Sequence, residues 1–120
     1  MNNQDAESLD LAKFAATAAD EKLGTDVIVL DVGNVLSITG FFVVASAGNT
    51  RQVRTIADEV EKQVKEKLGR PPGRTEGISE GQWVLLDYGD VVVHVFSEDT
   101  RRFYEIERLY SDVPKVDWRA

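Results

Sequence analysis

His94 is the single histidine of the chain and the first residue to weigh for acid–base work, because imidazole exchanges protons near neutral pH. It lies in Val91-Val-Val-His-Val-Phe96. Strand alternation there sets it beside Val92 and Phe96, opposite Val93 and Val95. One histidine does not make a metal site, and with no cysteine there is no thiol for it to activate. The plainer reading is a structural or interface histidine. Asp87 and Asp90 flank Tyr88-Gly89, and two nearby carboxylates can hold Mg²⁺ for phosphoryl transfer. Metal-dependent nucleotidyltransferases need alternating carboxylates on one strand; this pair is three apart and crosses a turn, where both acids can bond turn amides. Residues 46–50, Ser46-Ala-Gly-Asn-Thr50, precede a helix and could cradle an anion, but they lack the lysine of a P-loop and the glycine spacing of a dinucleotide fingerprint. Glu76-Gly77 and Glu80-Gly81 could form an acidic rim near Trp83 or a plain polar loop.

Aromatic and arginine residues gather in the C-terminal half: Trp83, Tyr88, Phe103, Tyr104 and Tyr110, interleaved with Arg101, Arg102 and Arg108. Trp, Tyr and Arg dominate the energetics of protein interfaces. Helical spacing gives Phe103, Ile106 and Tyr110 one stripe, with core duty for Phe103 and Ile106; Tyr104 and Arg108 lie on another. Tyr88, Tyr104 and Arg102 divide evenly between packing and surface contact.

These side chains must be positioned by the elements the periodicity predicts. Residues 8–23 read as a helix with Leu11, Phe14, Ala15, Ala18 and Leu23 on one stripe, Ser8 as its cap and Gly24 as its stop. Residues 26–31 read as a strand whose central run is continuously apolar, as expected where both faces are covered. Residues 35–45 read as two strand pieces divided near Thr39-Gly40. Residues 51–68 carry Val53, Ile56, Ala57, Val60, Val64 and Leu68 on one helical face, capped by Asn49 or Thr50 and stopped by Gly69. Residues 75–81 are a loop or short edge strand. Residues 83–87 and 91–96 form a hairpin through Tyr88-Gly89-Asp90. A short helix capped by Asp99 or Thr100 carries Phe103, Ile106 and Tyr110, and the last ten residues read as a loosely held tail. The order predicts one α/β domain with a mixed sheet flanked by helices, in which the long helix makes a crossover. The boundaries expected are a flexible segment over 1–7, the domain over 8–112 and a C-terminal tail over 113–120.

At 120 residues with 42% apolar content, one domain can bury about two-thirds of its unfolded surface. The start, MNNQDAESLD, lacks the positive and apolar stretches of a secretory signal, and no run is long enough to span a bilayer. The chain reads as soluble and cytoplasmic. Its net charge of −7 disfavours direct RNA contact, since nucleic-acid binders neutralise phosphates with basic patches.

Trp83-Val-Leu-Leu-Asp-Tyr-Gly-Asp-Val-Val-Val-His-Val-Phe96, then Arg102-Phe-Tyr104, Glu107 and Leu109-Tyr110, resemble the ribosomal silencing factor family, also called Iojap-like. Phe42-Val-Val-Ala-Ser46, Asn49-Thr-Arg-Gln-Val53 and the Glu76-Gly77 loop fit the same pattern. The likeness runs from about Leu9 to Asp112. It implies a fold like that of nucleotidyltransferases without their catalytic carboxylates, and no enzymatic activity or cofactor. It also implies a function: binding large-subunit ribosomal protein fourteen, obstructing association of the ribosomal subunits and so repressing translation. Gly40 stands where the family usually has Asp, and Tyr110 where it often has Trp. The candidate contact residues are Trp83, Tyr88, His94, Arg102, Tyr104 and Tyr110. An enzyme using Ser46–Thr50 with Asp87 and Asp90 is the rival reading. Self-association through an exposed sheet edge is a third.

Overall fold

Alanines and one leucine at helical spacing form the first element, α1 (Asn3–Glu21), in a computed structural model that describes residues 3–119. Part of the expected flexible segment 1–7 (residues 1 and 2) and Ala120 of the tail lie outside the described residues. Helix α1 begins before Ser8, so Ser8 is not its cap: its hydroxyl bonds the Asp90 carboxylate. Leu11, Ala15 and Ala18 are buried as expected, but Leu23 is exposed and lies past the helix end with φ 65°. Gly24 then packs against the helix C-terminus, where a Cβ would come within 2.9 Å of the Ala19 carbonyl oxygen.

The strands are β1 (Thr25–Asp31), β2 (Phe41–Ala47), β3 (Arg74–Glu76), β4 (Trp83–Asp87), β5 (Val91–Ser97) and β6 (Lys115–Val116). The second long helix is α2 (Thr50–Leu68); α3 (Glu98–Tyr104) and α4 (Ile106–Leu109) are short. The described strands form one mixed sheet in the order β3-β4-β5-β2-β1-β6. Only β2 and β5 run parallel among the described pairs, because α2 carries the chain back across the sheet between them. Asn49 caps α2 through Gln52 N–H at 2.8 Å, and Gly69 closes it with φ 68°. No described helix is long and apolar enough to cross a membrane.

The continuous apolar runs are explained by cover on both faces. Val29, Val43, Val93 and Val95 meet Leu11, Ile56, Val60 and Val64 of α1 and α2. Leu30, Val44 and Phe96 meet Ile106 of α4 on the other face. Each buried aliphatic side chain contributes about 1.5–3 kcal/mol relative to exposure.

Three expectations need correction. Residues 35–39 are a turn, not a strand: Val35 and Leu36 N–H both bond the Val32 carbonyl, which spends the donors a ladder would use. The last helix is broken at Glu105, which takes φ 46°. That break resets the helical phase, so Ile106 is buried while Phe103 is 79% exposed; Ser97 rather than Asp99 or Thr100 caps α3. The described part of the expected tail is held in place. β6 pairs with β1, and Trp118 is buried with its Nε1–H donating to the Val27 carbonyl at 3.1 Å.

Candidate functional site

The side of the sheet away from α1 and α2 is only partly covered. On β4, period-two alternation sends Val84, Leu86 and Tyr88 toward the helices and Trp83, Leu85 and Asp87 to the other side. On β5 the same rule places Val92, His94 and Phe96 beside Trp83. Rings then meet across the strands. His94 lies edge-on to Phe42 at 4.7 Å, Trp83 contacts Phe96 at 4.8 Å and Tyr104 at 5.0 Å, and Tyr110 meets Phe42 at 5.2 Å. Tyr104 is half exposed, and Phe103, edge-on to it at 4.9 Å, extends the surface outward. Two depressions meet at Leu85. One, of about 330 Å³, is lined by Leu36, Thr39, Phe42, Val92 and His94; the other, of about 260 Å³, by Glu76, Gly77 and Trp83. Gly77 has φ 82°, and a Cβ there would fall 2.0 Å from the Trp83 carbonyl oxygen. Only glycine lets that loop lie so close to the Trp83 backbone.

Four of the six sequence candidates thus come together: Trp83, His94, Tyr104 and Tyr110. Tyr88 does not join them. It is buried on the helix side of the sheet, where loss of hydration and the charge of Glu61 push its phenol well up. Arg102 is exposed and ion-paired with Asp99, and it lines a separate polar pocket with Asp26, Glu98 and Glu105. Phe42 and Leu85 were missed by the sequence reading; strand alternation and register across β2, β4 and β5 are the signal that finds them.

His94 is 4% exposed and accepts a hydrogen bond at Nδ1 from Trp83 Nε1–H at 3.2 Å. Burial lowers its pKa to about 4, against the opposing pull of Asp87. At neutral pH it is an uncharged ring within an aromatic cluster.

The residues of the enzymatic reading are engaged elsewhere. Asp87 accepts from Gly89 N–H at 2.8 Å and faces Arg74 at 3.5 Å. Asp90 is gripped by both Arg70 terminal nitrogens, at 2.6 and 3.1 Å, and by Ser8. Burial alone would raise the Asp90 carboxyl, but the bonds from Arg70 and Ser8 outweigh it and hold it below its ordinary value. Among the described residues, no cluster of His, Asp and Glu is arranged to hold a metal ion. In residues 46–50, Ser46 is buried and bonded to Thr25 and Arg101, and Asn49 is spent on capping α2. The buried Arg101 also donates to the Thr25 carbonyl and pairs with Glu107 at 3.0 Å, tying α3 and α4 to the start of β1.

Comparison with known proteins places this geometry in a family. The family model described as "Ribosomal silencing factor during starvation" matches residues 5–120. Ribosomal silencing factor RsfS of Bacillus subtilis is 38% identical over 107 residues, covering 89% of this chain and 90% of the relative. The protein of the same name from Halalkalibacterium halodurans is 38% identical over 117 residues, covering 98% and 95%. The X-ray crystal structure of a Chromobacterium violaceum protein superposes with a TM-score of 0.82 at 36% identity, covering 92% of this chain and 88% of that one. Matched along nearly its whole length in sequence and in fold, the chain belongs to the ribosomal silencing factor family.

Proposed function

We propose that this silencing factor works by occlusion: the aromatic face built on Trp83, Phe42, His94, Tyr104 and Tyr110 docks on ribosomal protein fourteen of the large subunit, in the cytoplasm, and covers surface that the small subunit needs. The observation that carries this reading is a cluster of rings in which Tyr104 is half exposed and Trp83 and Tyr110 are only partly buried, beside buried Phe42, His94 and Phe96, on a sheet whose other face is sealed by two helices. Exposed Phe103 and Tyr104, which continue that cluster outward from Trp83, are the kind of contiguous apolar surface that marks an interaction site. A standard interface takes about 800 Å² from each partner, a modest share of this chain's 6714 Å². The net charge of −7 would speed encounter with a basic ribosomal protein and discourage direct contact with RNA. No bond needs to be made or broken, and the pairing of Asp87 and Asp90 with arginines favours no metal chemistry over this reading.

The test is co-sedimentation of the purified protein with isolated large subunits, isolated small subunits and joined ribosomes. Retention on large subunits alone, with Tyr104→Ala weakening it about tenfold or more as expected for an interface anchor, supports the reading. Equal retention on both subunits rejects it. Occupation of the same face by a second copy would appear as a concentration-dependent dimer that Tyr104→Ala dissolves.

A further inference from the structure

The open face holds a buried ring nitrogen that no other described residue uses. Indole nitrogen only donates, so the Trp83 bond to His94 Nδ1 leaves that nitrogen unprotonated and places the neutral ring's proton on Nε2. His94 Nε2 is buried and has no hydrogen-bond partner among the described residues. Unpaired buried donors are rare in folded proteins, because they forfeit the bond they had with water. The register gives the ring its direction. Trp83 pairs with Phe96, on one side of His94 along β5, whereas Val92, Asp87 and the 330 Å³ groove lie on the other. With Nδ1 facing Trp83, Nε2 across the ring faces the groove. A second buried polar atom without a partner, Thr39 Oγ1, belongs to the same groove; Leu36, Phe42, Leu85 and Val92 give it an apolar wall, and the paired Arg74 and Asp87 a charged one.

We infer that His94 is a specificity-determining donor: Nε2–H bonds a neutral acceptor, a backbone carbonyl or side-chain amide oxygen, carried by a protein segment whose apolar side chain enters the groove. The acceptor is neutral because the groove's own charges, Asp87 and Arg74, already face each other, and the chain as a whole is strongly acidic, so a carboxylate or a nucleic-acid phosphate would meet repulsion. Nε2 is closed to water in the free protein, so an acceptor reaches it only when a neighbouring wall of the groove shifts, and the turn of residues 35–39 supplies Leu36, Ile38 and Thr39 to that wall. That turn is the exposed wall, with Ile38 87% in solvent. Discrimination follows from the same physics: a segment lacking the acceptor would leave the donor unpaired in the complex.

This inference rests on the docking face proposed above, and the experiment separates the two. Binding to isolated large subunits is titrated for the wild type, His94→Phe, His94→Gln and Tyr104→Ala. His94→Phe keeps an aromatic ring but removes the donor, and a loss of about tenfold is expected; His94→Gln, which keeps an N–H at similar reach, should recover most of it. The ¹⁵N spectrum of the free protein should show Nε2 as the protonated ring nitrogen, a readout that does not depend on any variant folding. Undiminished binding by His94→Phe alongside weakened Tyr104→Ala would overturn the donor and leave the face standing. Full binding by both would reject the face, and the donor with it. A ring protonated on Nδ1, failure of His94→Gln to recover, or His94-dependent binding to protein-free ribosomal RNA would each overturn the inference.

Discussion

Acidification should unfold this protein partly through one buried ring. His94 is held at a pKa of about 4 by loss of hydration, with Asp87 opposing, and returns toward 6.5 when the chain unfolds. The unfolded chain therefore binds the proton more readily, and stability rises with pH across the window between those values. The contribution is complete above 6.5 and drains away as pH falls toward 4. At about 1.4 kcal/mol for each unit of separation, the whole effect is about 3 kcal/mol, of which about 2 kcal/mol is lost between pH 7 and pH 5. With the side chain 4% exposed, solvent screening takes little from this. The assay is urea unfolding of the wild type and His94→Phe at both pH values. The variant loses the Trp83 hydrogen bond at either pH, and the carboxylates common to both proteins, such as Asp90 beside Arg70, cancel in the comparison. The expected result is a drop from pH 7 to pH 5 that is about 2 kcal/mol larger in the wild type. Parallel drops, or a ring that titrates near 6.5 in the folded protein, would refute the reasoning from burial.

Trp118→Ala should cost about 3 kcal/mol in a urea melt, the usual penalty for emptying a buried aromatic site; a melt like the wild type's would mean that the C-terminal segment does not dock. Arg70→Ala should destabilise by about 1–3 kcal/mol by stripping Asp90 of its main partner. Because Asp90 is held below its ordinary 3.8, the stability it contributes is present above that value and fades as pH falls, so the deficit of Arg70→Ala should narrow in acid melts. Gly77→Ala forces a side chain into φ 82° against the Trp83 backbone and should cost about 1–3 kcal/mol, with a changed near-ultraviolet circular dichroism signal from Trp83. If occlusion is the mechanism, the exclusion must be reciprocal: excess small subunits should release the bound factor from large subunits in a sedimentation assay.

What the sequence made legible was whatever is decided locally. Helix α2 carries its own cap, apolar stripe and glycine stop, so its boundaries follow from short-range chemistry. The hairpin of β4 and β5 is set by alternation and by Gly89 with φ 90°. Two of the contact candidates, Trp83 and His94, share a face for the same reason, since period two had already put His94 beside Val92 and Phe96; Tyr104 and Tyr110 reach that face from α3 and the end of α4. Applied to β4, that rule would also have sent Tyr88 inward with Leu86. The misses are long-range or conformational. Nothing in residues 98–110 announces that Glu105 will turn left-handed and rotate Phe103 into solvent. The docking of Trp118 on Val27 and the burial of Arg101 between Thr25, Ser46 and Glu107 join residues far apart in the chain, beyond any window of periodicity.

The unequal treatment of the two faces is itself an argument about function. The helix side is built mostly from valine, alanine, leucine and isoleucine packed against α1 and α2, with Tyr88 and Trp118 as its buried rings, and small branched shapes of that kind fill a core densely. The other side concentrates the rings: Phe42, Trp83, His94, Phe96 and Tyr110. Among the described residues its helical cover, α3 and α4, is two short pieces pinned at one end by Arg101. Stability alone would favour a longer helix over the rings that stay partly open, Trp83, Tyr104 and Tyr110, because each Å² of apolar surface withdrawn from water is worth about 25 cal/mol. A fold that seals one face and leaves aromatic area on the other gives up part of that gain within the monomer. The gain is available again when a partner supplies the missing layer, and rigid rings already fixed by their neighbours lose little entropy on contact. The short, charged edge strands Arg74–Glu76 and Lys115–Val116 offer few free backbone groups for strand pairing, so the broad aromatic face is the stronger candidate for the surface that meets the partner.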